Sequence, residues 1–196
     1  MATPLELLAE QAAGCTRCPL AQTRTQVVFS RGDPLADLVF VGEAPGKDED
    51  LQGEPFVGRS GQLLDKLVFE EIGLERDRFY VMNTLKCRPP NNRDPRPDEL
   101  TACSPWFDAQ LEALAPKVVV TLGNFATKRL LDTTEGITKL RGRTYPYRGA
   151  VLVPTFHPAA VLRGGGVPMA QMRADLVRAK EALVAAGSLA VAGAAP

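Results

Sequence analysis

The chain has 196 residues, of which 45% are hydrophobic and 23% charged, and its 23 basic and 23 acidic side chains leave no net charge. These values are typical of a soluble protein with one compact domain. No apolar run approaches the roughly 20 residues that span a bilayer. Residues 1–10 lack a basic segment followed by an apolar one, so we expect no signal peptide, no membrane partner and a cytoplasmic location.

The first predicted element is a helix that begins after Thr3 and ends at Gly14. Thr3-Pro4-Leu5-Glu6 combines an N-cap threonine, a proline at the first helical position and a glutamate at the third. Four apolar runs then predict strands, at residues 37–43, 79–83, 117–123 and 151–156. Three of these runs are nearly continuous in apolar residues, which is typical of parallel strands buried on both faces.

Helices are predicted between and after the strands. They cover residues 60–73, with Ser60 as the N-cap, and residues 97–114, 126–131 and 169–186. Pro105 should break or kink the helix over residues 97–114. The alternation of strand and helix predicts an α/β protein, a single-domain three-layer α/β/α sandwich with a central four-stranded, mainly parallel sheet. This domain should cover residues 1–186, followed by a disordered tail at residues 187–196.

Polar side chains follow all four predicted strands. They are Glu43, Asn83, Asn124 after Gly123, and His157, the only histidine in the chain. In open α/β sheets, ligands bind outside the carboxyl ends of the strands. Each residue has an ordinary explanation, since Asn83 could cap its strand and His157 could fill a turn. Their coincidence at four strand ends nevertheless favours a pocket at this edge of the sheet.

The four cysteines form a C-x2-C pair, Cys15 and Cys18, followed far along the chain by Cys87 and Cys103. In a cytosolic protein this pattern indicates a metal centre before disulfides. Zinc and a 4Fe–4S cluster both accept four thiolates, and spacing alone does not separate them. Four unligated buried thiols are the remaining interpretation.

A local basic surface is predicted around the third cysteine. The segment over residues 86–96 holds Lys86, Arg88, Arg93 and Arg96 against a single Asp94, which is the kind of patch a DNA-binding protein needs. Solvated surface charges without a ligand are the alternative. Further basic candidates are Arg141, Arg143 and Arg163.

Three segments, taken in order, carry a family resemblance. Residues 41–65 read VGEAPGKDEDLQGEPFVGRSGQLLD, residues 83–90 read NTLKCRPP, and residues 156–159 read FHPA. Together with the order and spacing of the cysteines, they resemble the family-four uracil-DNA glycosylases. The resemblance runs from about Gly14 to Leu183, nearly the whole chain.

The resemblance implies an activity and a cofactor. It implies a monomeric DNA-repair enzyme that hydrolyses the N-glycosidic bond of uracil in single- and double-stranded DNA. The products would be free uracil and an abasic site, without strand cleavage. It also implies a 4Fe–4S cluster, held by Cys15, Cys18, Cys87 and Cys103, that staples the structure beside the DNA surface.

The resemblance also implies roles for residues of the pocket. Phe56 would stack on the flipped uracil, Asn83 would read the base through its amide, and His157 would hydrogen-bond uracil O2 as negative charge develops. Main-chain N–H groups around Glu43 and Ala44 would help to orient the base. Asparagine suits this reading role because its amide donates and accepts together, matching uracil O4 and N3–H but not cytosine.

One position departs from the better-known uracil glycosylases. Ala44 stands where those enzymes carry an aspartate that activates water. Glu43, Glu49 and Asn92 are therefore the candidates for positioning water or stabilising the sugar cation, and Glu49 has the better claim to an electrostatic or structural role near the sugar. For DNA contact the candidates are Arg88, Arg93, Leu162 and Arg163, of which the last two could enter the gap left by the flipped nucleotide or form only a surface turn.

Three other functions compete with this one. A related binding protein becomes covalently trapped on its abasic product, but it carries a basic insertion with a histidine that residues 89–97 lack. A non-catalytic nucleic-acid module would keep the cysteines and the basic loop without needing the pocket. An electron-transfer protein would not need ligands spread from Cys15 to Cys103.

Overall fold

The structure is a computed structural model that describes residues 2–190. Its helices are α1 Pro4–Ala13, α2 Lys47–Gln52, α3 Arg59–Ile72, α4 Pro97–Leu114, α5 Asn124–Leu131, α6 Ile137–Leu140, α7 Pro158–Gly164 and α8 Gly166–Ala185. Its strands are β1 Arg31–Gly32, β2 Leu38–Gly42, β3 Tyr80–Asn83, β4 Val118–Leu122, β5 Tyr145–Tyr147 and β6 Ala150–Thr155.

The sheet has the strand order β1-β3-β2-β4-β6-β5. The four predicted strands are confirmed as its parallel centre, β3-β2-β4-β6. Two short antiparallel edge strands, β1 and β5, were not predicted. The first has only two residues, and the second carries Pro146 at its middle, a residue that sheets accept at their edges because it donates no ladder hydrogen bond.

Helices cover both faces of the sheet, which confirms the three-layer α/β/α sandwich. On one face, Leu64 and Leu67 of α3 pack with Leu176 of α8 against the strands. On the other face, Phe107 of α4 and Ala126 of α5 belong to a second buried cluster. Since the central strands are buried on both sides, their nearly continuous apolar sequence follows from their position.

Helix ends agree with the sequence in one place and differ in another. Thr3 and Glu6 form the predicted capping box of α1. The N-cap of α3 is Gly58 and not the predicted Ser60. The cap forms at the glycine because the Glu49 carboxylate, from a neighbouring helix, accepts from the Val57 and Gly58 N–H groups.

The predicted break at Pro105 is absent, because α4 runs continuously from Pro97 to Leu114. A proline inside a helix leaves the carbonyl four residues earlier without its N–H donor. That carbonyl belongs to Thr101, and it accepts a hydrogen bond of 2.9 Å from the Ser104 hydroxyl. The adjacent serine therefore replaces the lost donor.

Three short helices, α2, α6 and α7, were not predicted, and two of them lie directly beyond strand ends that bear site residues. Helix α7 begins immediately after β6, with His157 as its N-cap. Of the tail predicted for residues 187–196, the last six residues lie outside the described part of the chain. Within residues 2–190, no helix is both long and apolar enough to cross a membrane.

Candidate functional site

A cavity of about 560 Å³ opens at the carboxyl ends of the central strands. It gathers residues from the ends of all four parallel strands, as the sequence predicted. Among its lining residues are all seven that were predicted to bind uracil or take part in catalysis, together with two predicted DNA contacts: Glu43, Ala44, Glu49, Phe56, Asn83, Asn92, His157, Arg93 and Arg163.

Asn83 ends β3 and points an unused acceptor at this cavity. Its side chain is 2% exposed, and within residues 2–190 its Oδ1 is the one buried side-chain nitrogen or oxygen without a hydrogen-bond partner. Buried polar atoms in folded proteins are nearly always paired. An unpaired acceptor that lines a cavity therefore indicates a ligand that donates a hydrogen bond there.

Gly42, which was not among the predicted site residues, makes room for this arrangement. A Cβ atom at this position would lie 2.3 Å from Asn83 Oδ1 and 2.8 Å from the Phe56 ring. Only glycine at position 42 therefore leaves room for both the Asn83 amide and the Phe56 ring beside the cavity. A glycine that ends an otherwise apolar strand signals such a close approach.

Phe56 forms a second wall of the cavity. Its backbone has φ 57°, an uncommon conformation for a bulky side chain. Gly61 allows it, because a Cβ there would lie 1.7 Å from the Phe56 carbonyl oxygen. The ring centroids of Phe56 and His157 are 5.7 Å apart, so an aromatic wall stands beside a hydrogen-bonding ring.

His157 is held as a neutral donor. Its Nδ1 accepts a hydrogen bond of 3.2 Å from the Ala159 N–H. Burial, with the charge of Arg163 as a second cause, lowers the pKa of His157 to about 4. The ring is therefore neutral at physiological pH. Because Nδ1 accepts, the proton resides on Nε2, where it is available to an acceptor in the cavity.

Glu43 brings a carboxyl group with an altered pKa. Burial, with Asp94 as a second cause, raises the pKa of Glu43 to about 7. None of the side-chain hydrogen bonds in the described part of the chain uses this carboxyl group. A carboxyl group in a cavity with a pKa near neutrality is a candidate acid or base.

Glu49 and Asn92 line the same cavity but are engaged by the protein. The Glu49 carboxylate accepts from three main-chain N–H groups, those of Gly46, Val57 and Gly58. It thereby fixes the loop that carries Phe56. The Asn92 Oδ1 accepts from Arg88 Nε at 2.6 Å. The structure therefore brings Glu43, Glu49 and Asn92 to one cavity. Glu49 and Asn92 are already hydrogen-bonded to the protein, whereas within residues 2–190 the Glu43 carboxyl group is not.

The predicted basic surface is only partly present. Lys86 is 2% exposed, so its assignment to that surface is wrong. The side chain packs inward, where its ammonium lies over the Phe29 and Phe107 rings and donates to the Asn83 carbonyl and to Gln110. Arg93 pairs with the buried Glu99, and Arg141 with the buried Asp175. Arg96 and Arg143 are exposed.

An exposed ridge borders the cavity beyond His157. Leu162, which is 41% exposed, and Arg163 lie at the end of α7. Both residues are helical, and Gly165 joins α7 directly to α8. Val167, in the first turn of α8, is 70% exposed. The ridge itself therefore presents one apolar side chain and one cation at the end of a helix.

The four cysteines line one small second cavity. Three of their sulfurs accept hydrogen bonds: Cys15 from Trp106 Nε1 at 3.2 Å, Cys87 from Arg24 Nη1 at 3.3 Å, and Cys103 from the Lys86 N–H at 3.3 Å. Burial raises the pKa of Cys87 to about 11 and raises that of Cys103.

Among residues 2–190, no group of three or more cysteine, histidine, aspartate or glutamate side chains is close enough to hold one metal ion. The four thiols nevertheless surround a common space, with N–H donors directed at three of the sulfurs. N–H donors directed at cysteine sulfurs are contacts of the kind that stabilise thiolates when they bind a metal centre.

Comparison with known proteins agrees with this geometry. Residues 29–180 match the profile of the "Uracil DNA glycosylase superfamily". The chain is 46% identical to the type-4 uracil-DNA glycosylase of Sulfurisphaera tokodaii over 166 residues, 81% of this chain and 76% of that protein. It is 41% identical to the type-4 enzyme of Saccharolobus solfataricus over 187 residues, 91% of this chain and 86% of that protein.

A more distant relative helps to place the chain. The type-5 uracil-DNA glycosylase of Thermus thermophilus is 33% identical over 138 residues, covering 63% of this chain and 60% of that protein. Both the identity and the coverage are lower than for the type-4 proteins. The chain therefore belongs to the uracil-DNA glycosylase superfamily and, within it, to the type-4 enzymes.

Proposed function

We propose that residues 1–186 form a DNA-repair glycosylase that acts as a cytoplasmic monomer on uracil in single- and double-stranded DNA. It hydrolyses the N-glycosidic bond, releases uracil and leaves an abasic site without cutting the strand. The observation that carries the proposal is the unpaired Asn83 Oδ1 in a cavity that also holds an aromatic wall and a neutral histidine donor.

Base recognition follows from these three groups. The Asn83 amide accepts from uracil N3–H through Oδ1 and donates to O4 through Nδ2, a pattern that cytosine does not match. Phe56 supplies a stacking surface, which is worth roughly 1–3 kcal/mol per base. A mismatched base would leave buried polar atoms unpaired, and this is how such sites reject close analogues.

Bond cleavage leaves negative charge on uracil and positive charge on the sugar. The neutral His157 donates from Nε2 to uracil O2, where the negative charge develops. A neutral histidine suits this role because it donates without giving up its proton, so uracil departs as an anion. Main-chain N–H groups near Glu43 and Ala44 assist in orienting the base.

We assign the attacking water to Glu43. Its carboxyl group is uncommitted, whereas the Glu49 carboxylate already accepts from main-chain N–H groups and the Asn92 amide oxygen accepts from Arg88. As a carboxylate, Glu43 accepts a proton from water and stabilises the sugar cation. Glu49 has an indirect role, because its hydrogen bonds to main-chain N–H groups fix the loop that carries Phe56. For DNA contact the residues are Arg88, Arg93, Leu162 and Arg163, with Leu162 filling the duplex gap.

This assignment predicts how activity depends on pH. Because the Glu43 pKa is raised to about 7, kcat/KM for uracil excision should rise as pH increases through about 7 and then level off. His157 should add no limb above pH 5, since its pKa is lowered to about 4. Single-turnover rates across this range measure the profile. Glu43→Gln should lower the plateau and remove the limb; a limb retained in that variant would refute the assignment.

We also propose that Cys15, Cys18, Cys87 and Cys103 hold a 4Fe–4S cluster. The donor set fits, because four thiols face one space and N–H donors offset the negative charge of bound thiolates. Burial raises the pKa of Cys87 and Cys103, so cluster binding would have to displace the protons of these thiols. The cluster would brace the two ends of the 88–102 segment.

Colour tests this cofactor. Protein purified without oxygen should be brown, with broad visible absorption and about four iron atoms per chain. A Cys103→Ser variant should lose both the colour and part of its stability. A colourless protein that contains one zinc ion would contradict the cluster proposal without touching the glycosylase proposal.

An excision assay tests the activity. Intact, cofactor-loaded protein is incubated with a single-stranded oligonucleotide that carries one uracil, and alkali reveals abasic sites. We expect multiple turnovers, and no product from a cytosine control. Absence of product would favour the non-catalytic binding module, whereas a covalent gel shift would indicate the trapped-product protein.

A further inference from the structure

Lys86 makes the most unusual buried contacts in the described part of the chain. It is 2% exposed, and its Nζ donates to the Asn83 carbonyl oxygen at 2.8 Å and to Gln110 Oε1 at 2.5 Å. The Phe29 and Phe107 rings lie 5.5 and 5.7 Å from the same nitrogen. One partner of this buried amine is therefore the main chain of Asn83, the residue whose unpaired amide oxygen lines the cavity.

The contacts continue away from the cavity as a closed hydrogen-bond network. Gln110, which is fully buried, donates from Nε2 to Tyr80 Oη at 2.8 Å and to the Phe29 carbonyl at 3.3 Å. The Tyr80 hydroxyl donates to Ser30 Oγ at 2.6 Å. Buried networks of this kind are rigid when every member is satisfied, so the Lys86 amine has a fixed position.

The segment from Asn83 to Cys87 connects the two cavities. The Thr84 and Leu85 N–H groups donate to the Gly42 and Glu43 carbonyls, both at 3.0 Å. The Lys86 N–H donates to Cys103 Sγ. The main chain of this segment is thereby attached to the strand β2 on one side and to a cysteine of the second cavity on the other. The side chain of Lys86 donates in turn to the Asn83 carbonyl at the start of the segment.

We propose that Lys86 is a positioning residue for base selection. Its amine fixes the main-chain carbonyl of Asn83, and this holds the Asn83 side-chain amide in the position from which it reads the base. An apolar side chain of the same length would fill the space without the desolvation cost of a buried amine. What it would lose is the donor to the Asn83 carbonyl. This inference rests on the proposed role of Asn83 in reading uracil.

The test is Lys86→Met in the full-length, cofactor-loaded protein. We expect kcat for uracil excision to fall by about ten- to a hundredfold, since small misplacements of a reading group have effects of this size. KM for DNA should stay within about threefold, because Lys86 is not at the surface. The ratio of cytosine to uracil excision should rise by about tenfold or more.

Two further variants make the result decisive. Tyr80→Phe removes the far end of the network but keeps both acceptors of the Lys86 amine, so its loss of selectivity should be at most about a tenth of that in Lys86→Met. If Lys86→Met is insoluble, Gln110→Met serves instead, because it removes the acceptor that holds the amine, and its selectivity should fall in the same direction. Unchanged selectivity in a folded, coloured Lys86 or Gln110 variant would overturn the inference. An inactive wild type would instead overturn the proposed function.

Discussion

Replacing His157 by alanine is expected to lower the single-turnover rate of uracil excision by about 10²–10³-fold. The reason is the loss of the Nε2–H donor at the point where negative charge develops on the leaving base. The fold should survive, because the one hydrogen bond that the His157 side chain makes within residues 2–190 is that from the Ala159 N–H to Nδ1 at the start of α7. Such a cap contributes about 1 kcal/mol. Rapid-quench kinetics with excess enzyme measure the rate.

His157→Asn provides the matched control for the cap. Asparagine is a good N-cap residue, so this variant should regain the stability of the wild type, while its shorter side chain withdraws the donor from the base. Its excision rate should therefore remain near that of His157→Ala. A rate within threefold of the wild type in either variant would remove His157 from the mechanism.

Replacing Asn83 by aspartate should lower uracil excision by about 10²-fold and weaken the rejection of cytosine. The ionised carboxylate accepts from N3–H but repels O4, and it leaves a buried partner unsatisfied. Because Asn83 is buried, the pKa of the introduced carboxyl group should be raised. Its protonated form can donate to cytosine N3 and accept from N4, so cytosine excision should increase as pH falls.

Competition between uracil and cytosine oligonucleotides at several pH values measures this change. Asn91→Asp is the control, since it adds the same charge at an exposed position with φ 55°, which aspartate tolerates. Its activity should stay within about threefold of the wild type. If Asn83→Asp retained the uracil-to-cytosine ratio of the native enzyme, another group would have to read the base.

The pocket could be predicted from the sequence because its chemistry lies at strand ends. Each parallel strand is an apolar run of about five residues that ends in a polar residue, and parallel strands place such ends at one edge. Asn83 and His157 were found in this way. Phe56 was assigned only through the family resemblance, because its φ depends on Gly61, a contact that no local pattern reveals.

The side-chain partners could not be predicted in the same way. Lys86 lies in a basic segment, and its burial depends on two phenylalanines and a glutamine from distant elements. Arg93 likewise finds the buried Glu99. The ranking of Glu43 over Glu49 required knowing which carboxylate binds main-chain N–H groups. Long-range pairing of charges leaves no periodicity in the sequence, so it is visible only after folding.

The left-handed backbone of Phe56 has a consequence for kinetics. Glu49 and Gly61 hold the ring in place before any base arrives, so the entropy of ordering this wall is lost during folding and not during binding. The protein then has little to rearrange when a base enters. The rate of excision in different DNA contexts should therefore follow the ease with which the DNA releases the uracil from its base stack. The cavity would receive the released base with little change in its own structure.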